Sequence, residues 1–291
     1  MNKINYIELG ATLFIPATHK NLEAVVCDNK YPELRSVLID TEDGIKNESL
    51  EIAFKAIEKL LKIYEKKKLL VFIRPRDIEV LIEILKLKNV NKIDGFILPK
   101  FSLSNAEDYF NLLKNSNFLI MPSIEGEELF HQNSLYELRD ILLKNRKNIL
   151  LVRFGLEDML RQLKMKRTCE DSVFDFSATS YVLGSFIAIF KSAGFAISGG
   201  VYPCFKDDEG FIKDVKRDLK EGLFSKTIIH PRQIKLTNEL YKVTKEELRE
   251  AVEILNRSEA LFNQNDKMAE PITMKPQAKE IIQRAKVYGI D

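Results

Sequence analysis

The chain has 291 residues, with 45 basic and 43 acidic side chains and a hydrophobic content of 45%. That length suits a single α/β barrel, which runs to about 250 residues or more, and a body this size buries roughly three quarters of its unfolded surface. A formal net charge of +2 gives no electrostatic case for a nucleic-acid partner, and no apolar run approaches the ~20 residues of a membrane span.

Short apolar, β-branched runs read as strands buried on both faces at residues 11–17, 36–42, 69–75, 95–100, 118–125, 148–155, 196–201 and 226–231. Longer stretches with helical periodicity follow them. In residues 47–66, Leu50, Ala53, Ala56, Ile57, Leu60 and Leu61 repeat on one face, with Asn47 as the candidate cap. The Lys-rich patch at 61–68 is the solvated end of that helix. Eight strands alternating with helices predict a (β/α)8 TIM barrel over residues 1–243. No GxGxxG or GxxxxGK[ST] motif occurs, which disfavours an open nucleotide-binding sheet. Residues 244–291 read as a C-terminal helical extension: a helix, a polar stretch containing Pro271, and a last helix near 276–287. Such an extension packs on the barrel or on a neighbouring subunit.

Twelve Gly and nine Pro are too few for a linker-rich chain. Residues 1–6 do not read as the start of a signal peptide. Cys27, Cys169 and Cys204 are odd in number and widely spaced, which argues against a disulfide framework. His19, His131 and His230 are scattered, which argues against zinc. These features together predict a soluble, cytoplasmic protein without membrane or nucleic-acid partners.

In a barrel the C-terminal ends of the strands face the active site. Those ends carry Thr18 and His19, then Asp40, Glu42 and Asp43, then Arg74 and Arg76, Lys100, and Glu125. Gly155, Glu157 and Asp158 follow the sixth strand, Tyr202 the seventh, and His230 ends the eighth. Glu125 and Asp158 are hard oxygen ligands suited to Mg²⁺, and Mn²⁺ accepts the same set. Arg74 offers a fork of donors for a carboxylate or an oxyanion. The plainer reading of Glu125 is an ion pair with Arg74 or Lys100, and that of Asp158 is a first-turn residue of a helix over 157–163. Lys100 is a Schiff-base lysine or, more simply, the charge partner of a carboxylate. His230 is a base or a cap for the helix that Pro231 opens. Tyr202, Asp207 and Asp208 order a loop.

Taken in order, these motifs resemble the citrate lyase β-subunit-like group of the HpcH/HpaI aldolase superfamily. They are Leu13-Phe14-Ile15-Pro16, Leu38-Ile39-Asp40-Thr41-Glu42-Asp43, Ile73-Arg74, Ile97-Leu98-Pro99-Lys100, Ile124-Glu125 and Phe154-Gly155-Leu156-Glu157-Asp158. Asp208-Glu209-Gly210-Phe211 and the run from Lys226 to Ile234 complete the series. The resemblance implies a Mg²⁺-dependent TIM barrel that makes or breaks a carbon–carbon bond through an enolate. Its metal ligands match Glu125 and Asp158, its substrate-binding arginine matches Arg74, and its acidic pair after the second strand matches Glu42 and Asp43. It also implies a homotrimer or hexamer in which the stretch around Asp266–Pro271 reaches a neighbouring site.

The departures alter the thioester-binding half. Gly10-Ala11-Thr12 and Pro16-Ala17-Thr18 replace an arginine and a Pro-Gly pair, and Pro75-Arg76 follows Arg74 where a small residue and Asn are usual. These variants resemble a divergent bacterial branch associated with tellurium-resistance and stress-response operons. Arg76 adds a second cation, which favours a polyanionic substrate.

The reading is therefore a Mg²⁺-dependent lyase or aldolase acting on an oxo-acid, a small carboxylate or an acyl thioester. Arg74, Glu42 and Asp43 carry the chemistry, and Arg74, Arg76, Lys100, Gly155 and Thr18 bind substrate. The base is a metal-bound hydroxide, Glu42, Asp43 or Glu270 of a neighbour. A CoA thioester hydrolase or synthase on the same site, and a degenerate barrel acting as sensor or scaffold, are the alternatives.

Overall fold

The structure is a computed structural model that describes residues 4–291, organised as two compact units that divide between Ile234 and Lys235. The first unit carries a parallel sheet of β1 (Ala11–Pro16), β2 (Ser36–Asp40), β3 (Leu70–Arg74), β4 (Gly95–Leu98), β5 (Leu119–Ile124), β6 (Arg153–Phe154) and β7 (Lys226–Ile228). Its order is β6-β5-β4-β3-β2-β1-β7. Helices α1 (Leu22–Val26), α2 (Leu50–Ile63), α3 (Ile78–Leu85), α4 (Ala106–Leu113), α5 (Gln132–Lys144), α6 (Leu156–Gln162), α7 (Ser177–Ser192) and α8 (Asp208–Lys220) connect the strands. Helix α9 (Arg232–Leu240) follows β7.

Residues 196–201, expected as a full strand, make only single parallel bridges, Val152 with Ile197 and Gly199 with Lys226. Those bridges link β6 to β7 and close the barrel. The segment is reduced because Gly199 and Gly200 add no side chain to a pleated surface and cost more backbone entropy on ordering. A Cβ at Gly199 would lie 2.2 Å from the Asp218 carboxylate, so only glycine fits there. Likewise only the last two ladder residues of the 148–155 run form β6.

The barrel interior is apolar at its base, where Leu9, Leu38, Leu70, Phe72, Ile97, Met121 and Leu151 pack together. Towards the C-terminal ends of the strands it becomes polar, with Asp40, Arg74, Ser123, Glu125, Arg153 and Thr227. Strands of period two bring every second residue inward, so a single polar residue at the end of an apolar run becomes part of the barrel mouth.

Asn47 does not cap α2. It lies in a 3-10 turn, and Ser49 precedes the helix instead. Cys169 and Cys204, expected to remain unpaired, form a disulfide with their Cα atoms 5.8 Å apart. The loops after α6 and after the seventh strand position bring them together, and the thiol count no longer supports a reducing compartment. No helix among the described residues is long and apolar enough to cross a membrane.

The second unit contains α10 (Lys245–Asn256), the antiparallel hairpin of β8 (Phe262–Gln264) and β9 (Lys267–Ala269), and α11 (Pro271–Tyr288). Asn265 and Asp266 both take positive φ, which suits the tight turn of a two-residue hairpin. Pro271, expected in a connecting stretch, opens α11, because the N–H it lacks would have no helical partner there. Ala251, Ile254 and Ala278 form the core of this unit.

Candidate active site

The site begins with Asp40, fully buried at the end of β2. Its Oδ1 accepts from the backbone N–H of Glu42 (3.2 Å) and from Arg74 Nε (2.6 Å), and its Oδ2 accepts from the N–H of Gly44 (2.8 Å). One carboxylate thus folds back the loop that carries Glu42 and Asp43 and fixes Arg74 against it. Arg76 completes this arrangement from the other side. Its guanidinium donates to the carbonyls of Thr41, Glu42 and Ile45 and to the Asn47 side chain. Those donors are spent on the loop, so Arg76 positions Glu42 and Asp43, and the polyanion argument loses its second cation.

Glu42 is buried between two cations. Arg74 Nη1 lies 2.9 Å from its Oε2, and Lys100 Nζ donates to its Oε1. Burial raises the Glu42 carboxyl above its usual range against the opposing pull of Arg74 and Lys100. Although burial disfavours its charge, the hydrogen bond and charge of Glu42 hold the Lys100 ammonium above its usual value. Lys100 Nζ is also 3.5 Å from the exposed Asp43. Lys100 is therefore a charge partner rather than a free amine.

Glu125, 5% exposed at the end of β5, makes no ion pair among the described residues. Neither Arg74 nor the Lys100 side chain neutralises it. Its Oε1 accepts the backbone N–H of Lys100 at 2.5 Å and its Oε2 faces the Ser123 hydroxyl at 3.2 Å. Lys100 offers that N–H from the left-handed region at φ 46°, a strained placement for a residue with a Cβ. Burial, and then the negative charges of Glu42 and Asp158, push the Glu125 carboxyl up to about 7.

Gly155 explains how β6 approaches so closely. A Cβ there would meet Glu125 Cβ at 2.0 Å and Oε2 at 2.8 Å. Its part is to leave room beside that carboxylate. Asp158 lies in the first turn of α6, where its Oδ1 accepts from Arg161 Nη2 at 2.6 Å. Gln162 ties α6 to the Glu125 carbonyl at 2.7 Å. Thr18 is exposed after β1.

Arg153 was not among the residues singled out from sequence, because it interrupts an apolar run at residues 149–154 rather than ending it. It is buried inside the barrel, and its Nη2 donates to Thr227 Oγ1 at 2.6 Å. Its position two residues before Gly155, on the inward parity of the strand, is the signal that would have found it.

Two secondary candidates have structural roles. His230 Nδ1 accepts from the N–H of Arg232 at 3.2 Å, and its ring stacks on Phe205, so it caps α9. The Tyr202 hydroxyl is 2.6 Å from Asp207, which in turn caps α8 by accepting the Gly210 N–H.

The donor set suits a divalent cation. Buried Glu125 is repelled by both Glu42 and Asp158, and a cation between carboxylates removes such repulsion. The space that a Cβ at Gly155 would fill lies against Glu125 Oε2. Among the described residues no three His, Cys, Asp or Glu side chains converge into a complete protein cage. Mg²⁺ needs no such cage, because it usually keeps several waters around one or two carboxylates.

Comparison with known proteins agrees with this fold. Citrate lyase subunit beta of Haemophilus influenzae is 28% identical over 148 residues, 48% of this chain and 48% of its own length. The chain thus spans about half the length of that relative. A (3S)-malyl-CoA thioesterase of Cereibacter sphaeroides is 28% identical over 92 residues, 32% of this chain and 31% of its own length. Among solved structures, CitE of Mycobacterium tuberculosis in complex with magnesium, acetoacetate and coenzyme A superposes with a TM-score of 0.72. That match covers 97% of this chain and 99% of the other at 18% identity, and shows the shared barrel. The family model for carbon–carbon bond lyases of the TIM-barrel fold matches residues 3–290, so the chain belongs to that family.

Proposed function

We propose that the protein is a Mg²⁺-dependent carbon–carbon lyase that cleaves a small oxo-acid or hydroxyacyl substrate through an enolate. The observation that carries this reading is Glu125, a buried carboxylate that makes no ion pair among the described residues and feels the negative charges of Glu42 and Asp158. Glu125 and Asp158 would hold the metal, which supplies positive charge where the enolate oxygen develops its negative charge. Arg74, held by Asp40 and Glu42, orients the substrate carboxylate with a guanidinium that does not have to reorganise during the reaction. We assign the proton acceptor to Glu42. Its Oε2 is ion-paired with Arg74 but has no hydrogen-bond partner among the described residues, and burial raises its affinity for a proton. In the cleavage direction the substrate hydroxyl proton passes to Glu42, the carbon–carbon bond breaks, and its electron pair passes into the enolate. Glu42 or water then returns a proton to carbon.

A CoA thioester reading of the same site is favoured by the likeness to the malyl-CoA thioesterase. Saturable binding of acetyl-CoA supports it, and indifference to CoA counts against it.

The test of the metal centre is calorimetric titration of metal-free protein with Mg²⁺. Glu125→Gln and Asp158→Asn are each expected to weaken Mg²⁺ binding on the order of 100-fold, at the upper end of what even outer-shell partners cost. Retention of both Mg²⁺ binding and oxo-acid turnover by Glu125→Gln overturns the assignment.

A further inference from the structure

Every cationic side chain expected at the mouth already has partners. Arg74 is held by Asp40 and Glu42, Lys100 by Glu42 and Asp43, and Arg76 by loop carbonyls. Arg153, which the sequence pattern did not single out, keeps an open donor. It stands on β6 in register with Ser123 of β5, two residues short of Glu125 on the same strand. Only 9% of it is exposed, and it makes no ion pair among the described residues. Its Nη2 is used by Thr227, while Nη1 is buried without a hydrogen-bond partner among the described residues. Burial, and then the positive charge of Arg74, lowers its pKa to about 10, so the guanidinium remains charged at neutral pH.

A desolvated cation with an open donor is costly, and an apolar side chain of similar volume in its place would be expected to stabilise the barrel. Glu125 presents the opposite case nearby, a buried carboxyl that makes no ion pair among the described residues. The two influence each other electrostatically but do not pair. An anion at Arg153 and a cation at Glu125 would satisfy both. A site that breaks local packing rules in this way is what a ligand-binding position looks like.

We propose that Arg153 is a substrate-binding residue, whose Nη1 donates to a carboxylate oxygen of a small 2-oxo or dicarboxylic acid held inside the barrel mouth. This rests on reading that mouth as the substrate site. The anion then sits between the two arginines, with Arg74 supplying orientation and Arg153 the open donor. Depth favours a small acid, because Arg153 lies below the strand ends within the barrel wall.

The experiment is calorimetric titration with oxalate, a planar dianion, at saturating Mg²⁺, using the full chain with Arg153→Met and Arg153→Lys. Arg153→Met is expected to lose oxalate affinity by on the order of 10- to 100-fold, as for a lost hydrogen bond to a charged group, with Arg153→Lys between the two. Mg²⁺ affinity in the absence of oxalate is expected to hold or tighten, since a nearby positive charge has been removed. Thermal unfolding of the ligand-free protein is expected at an equal or higher midpoint in Arg153→Met, which a purely structural arginine would not allow. Oxalate binding within about threefold of the unaltered chain in a folded Arg153→Met protein overturns the proposal. So does an Arg153→Met chain that fails to fold while Arg153→Lys binds oxalate as the unaltered chain does. Failure of the unaltered chain to bind Mg²⁺ defeats the metal centre instead. The same oxalate comparison without metal then decides Arg153, equal affinities overturning it.

Discussion

Glu125 shows how one carboxylate links stability to ligand binding. Its folded pKa of about 7 lies above the ordinary 4.5, because burial and the neighbouring carboxylates disfavour the charged form. Between those values the folded protein holds more protons than the unfolded chain, so stability falls as pH rises through this window. The favourable contribution is complete below about 4.5 and lost above about 7, a change on the order of 3 kcal/mol. Urea unfolding of metal-free protein is expected to show this decline, and Glu125→Gln to flatten it. An unchanged slope in that variant would remove Glu125 as its source. Mg²⁺ binds the ionised carboxylate, so its apparent affinity is expected to rise with pH up to about 7 and then level. At this scale Glu125 and Arg74 were legible because each ends an apolar run directly, and Asp158 because it sits in the first helical turn after one. Arg153 was not, because its ionisable group lies within such a run and only the strand parity shows that it faces inward.

At the scale of elements, the mouth depends on close approaches that a motif alone does not reveal. The end of β6 reaches Glu125 only because Gly155 has no Cβ. Gly155→Ala is expected to destabilise the protein by roughly 1–3 kcal/mol through overpacking and to weaken Mg²⁺ binding by displacing Glu125. Chemical denaturation and the Mg²⁺ titration together check this, and wild-type values for both would show that the strand end has room to shift. The loop after β2 is an element of the same kind, held by Asp40 within and Arg76 across it. The sequence pattern shows that Arg76 is near the mouth. It does not show that the guanidinium turns to backbone carbonyls, because that depends on where the 41–47 loop lies. The Cys169–Cys204 pairing was missed for a related reason, since residues 35 positions apart meet only once two loops are folded.

For the whole molecule we propose a homo-oligomer, as the resemblance in the motif series implies. The second unit exposes Leu261, Met268 and Ile272, with Ile272 78% exposed, and large exposed apolar side chains are the residues that a subunit interface would cover. Light scattering is expected to give a mass of three or six chains, and Met268→Glu with Ile272→Glu to lower it. A monomeric mass for the unaltered chain would refute the oligomer. The alternation of buried strands and amphipathic helices determined the barrel from sequence, because the periods of strand and helix and the burial of apolar runs are local properties of the chain. The type of residue at each strand end is equally local, and the order of those motifs along the chain carried the resemblance to the family whose model matches residues 3–290. Only the tertiary structure decided which charges meet. Arg74 chose Asp40 and Glu42, Lys100 chose Glu42, and Glu125 and Arg153 were left without an ion pair among the described residues. Ion pairing depends on distances of a few ångströms between residues far apart in the chain, and those distances exist only after the barrel has closed.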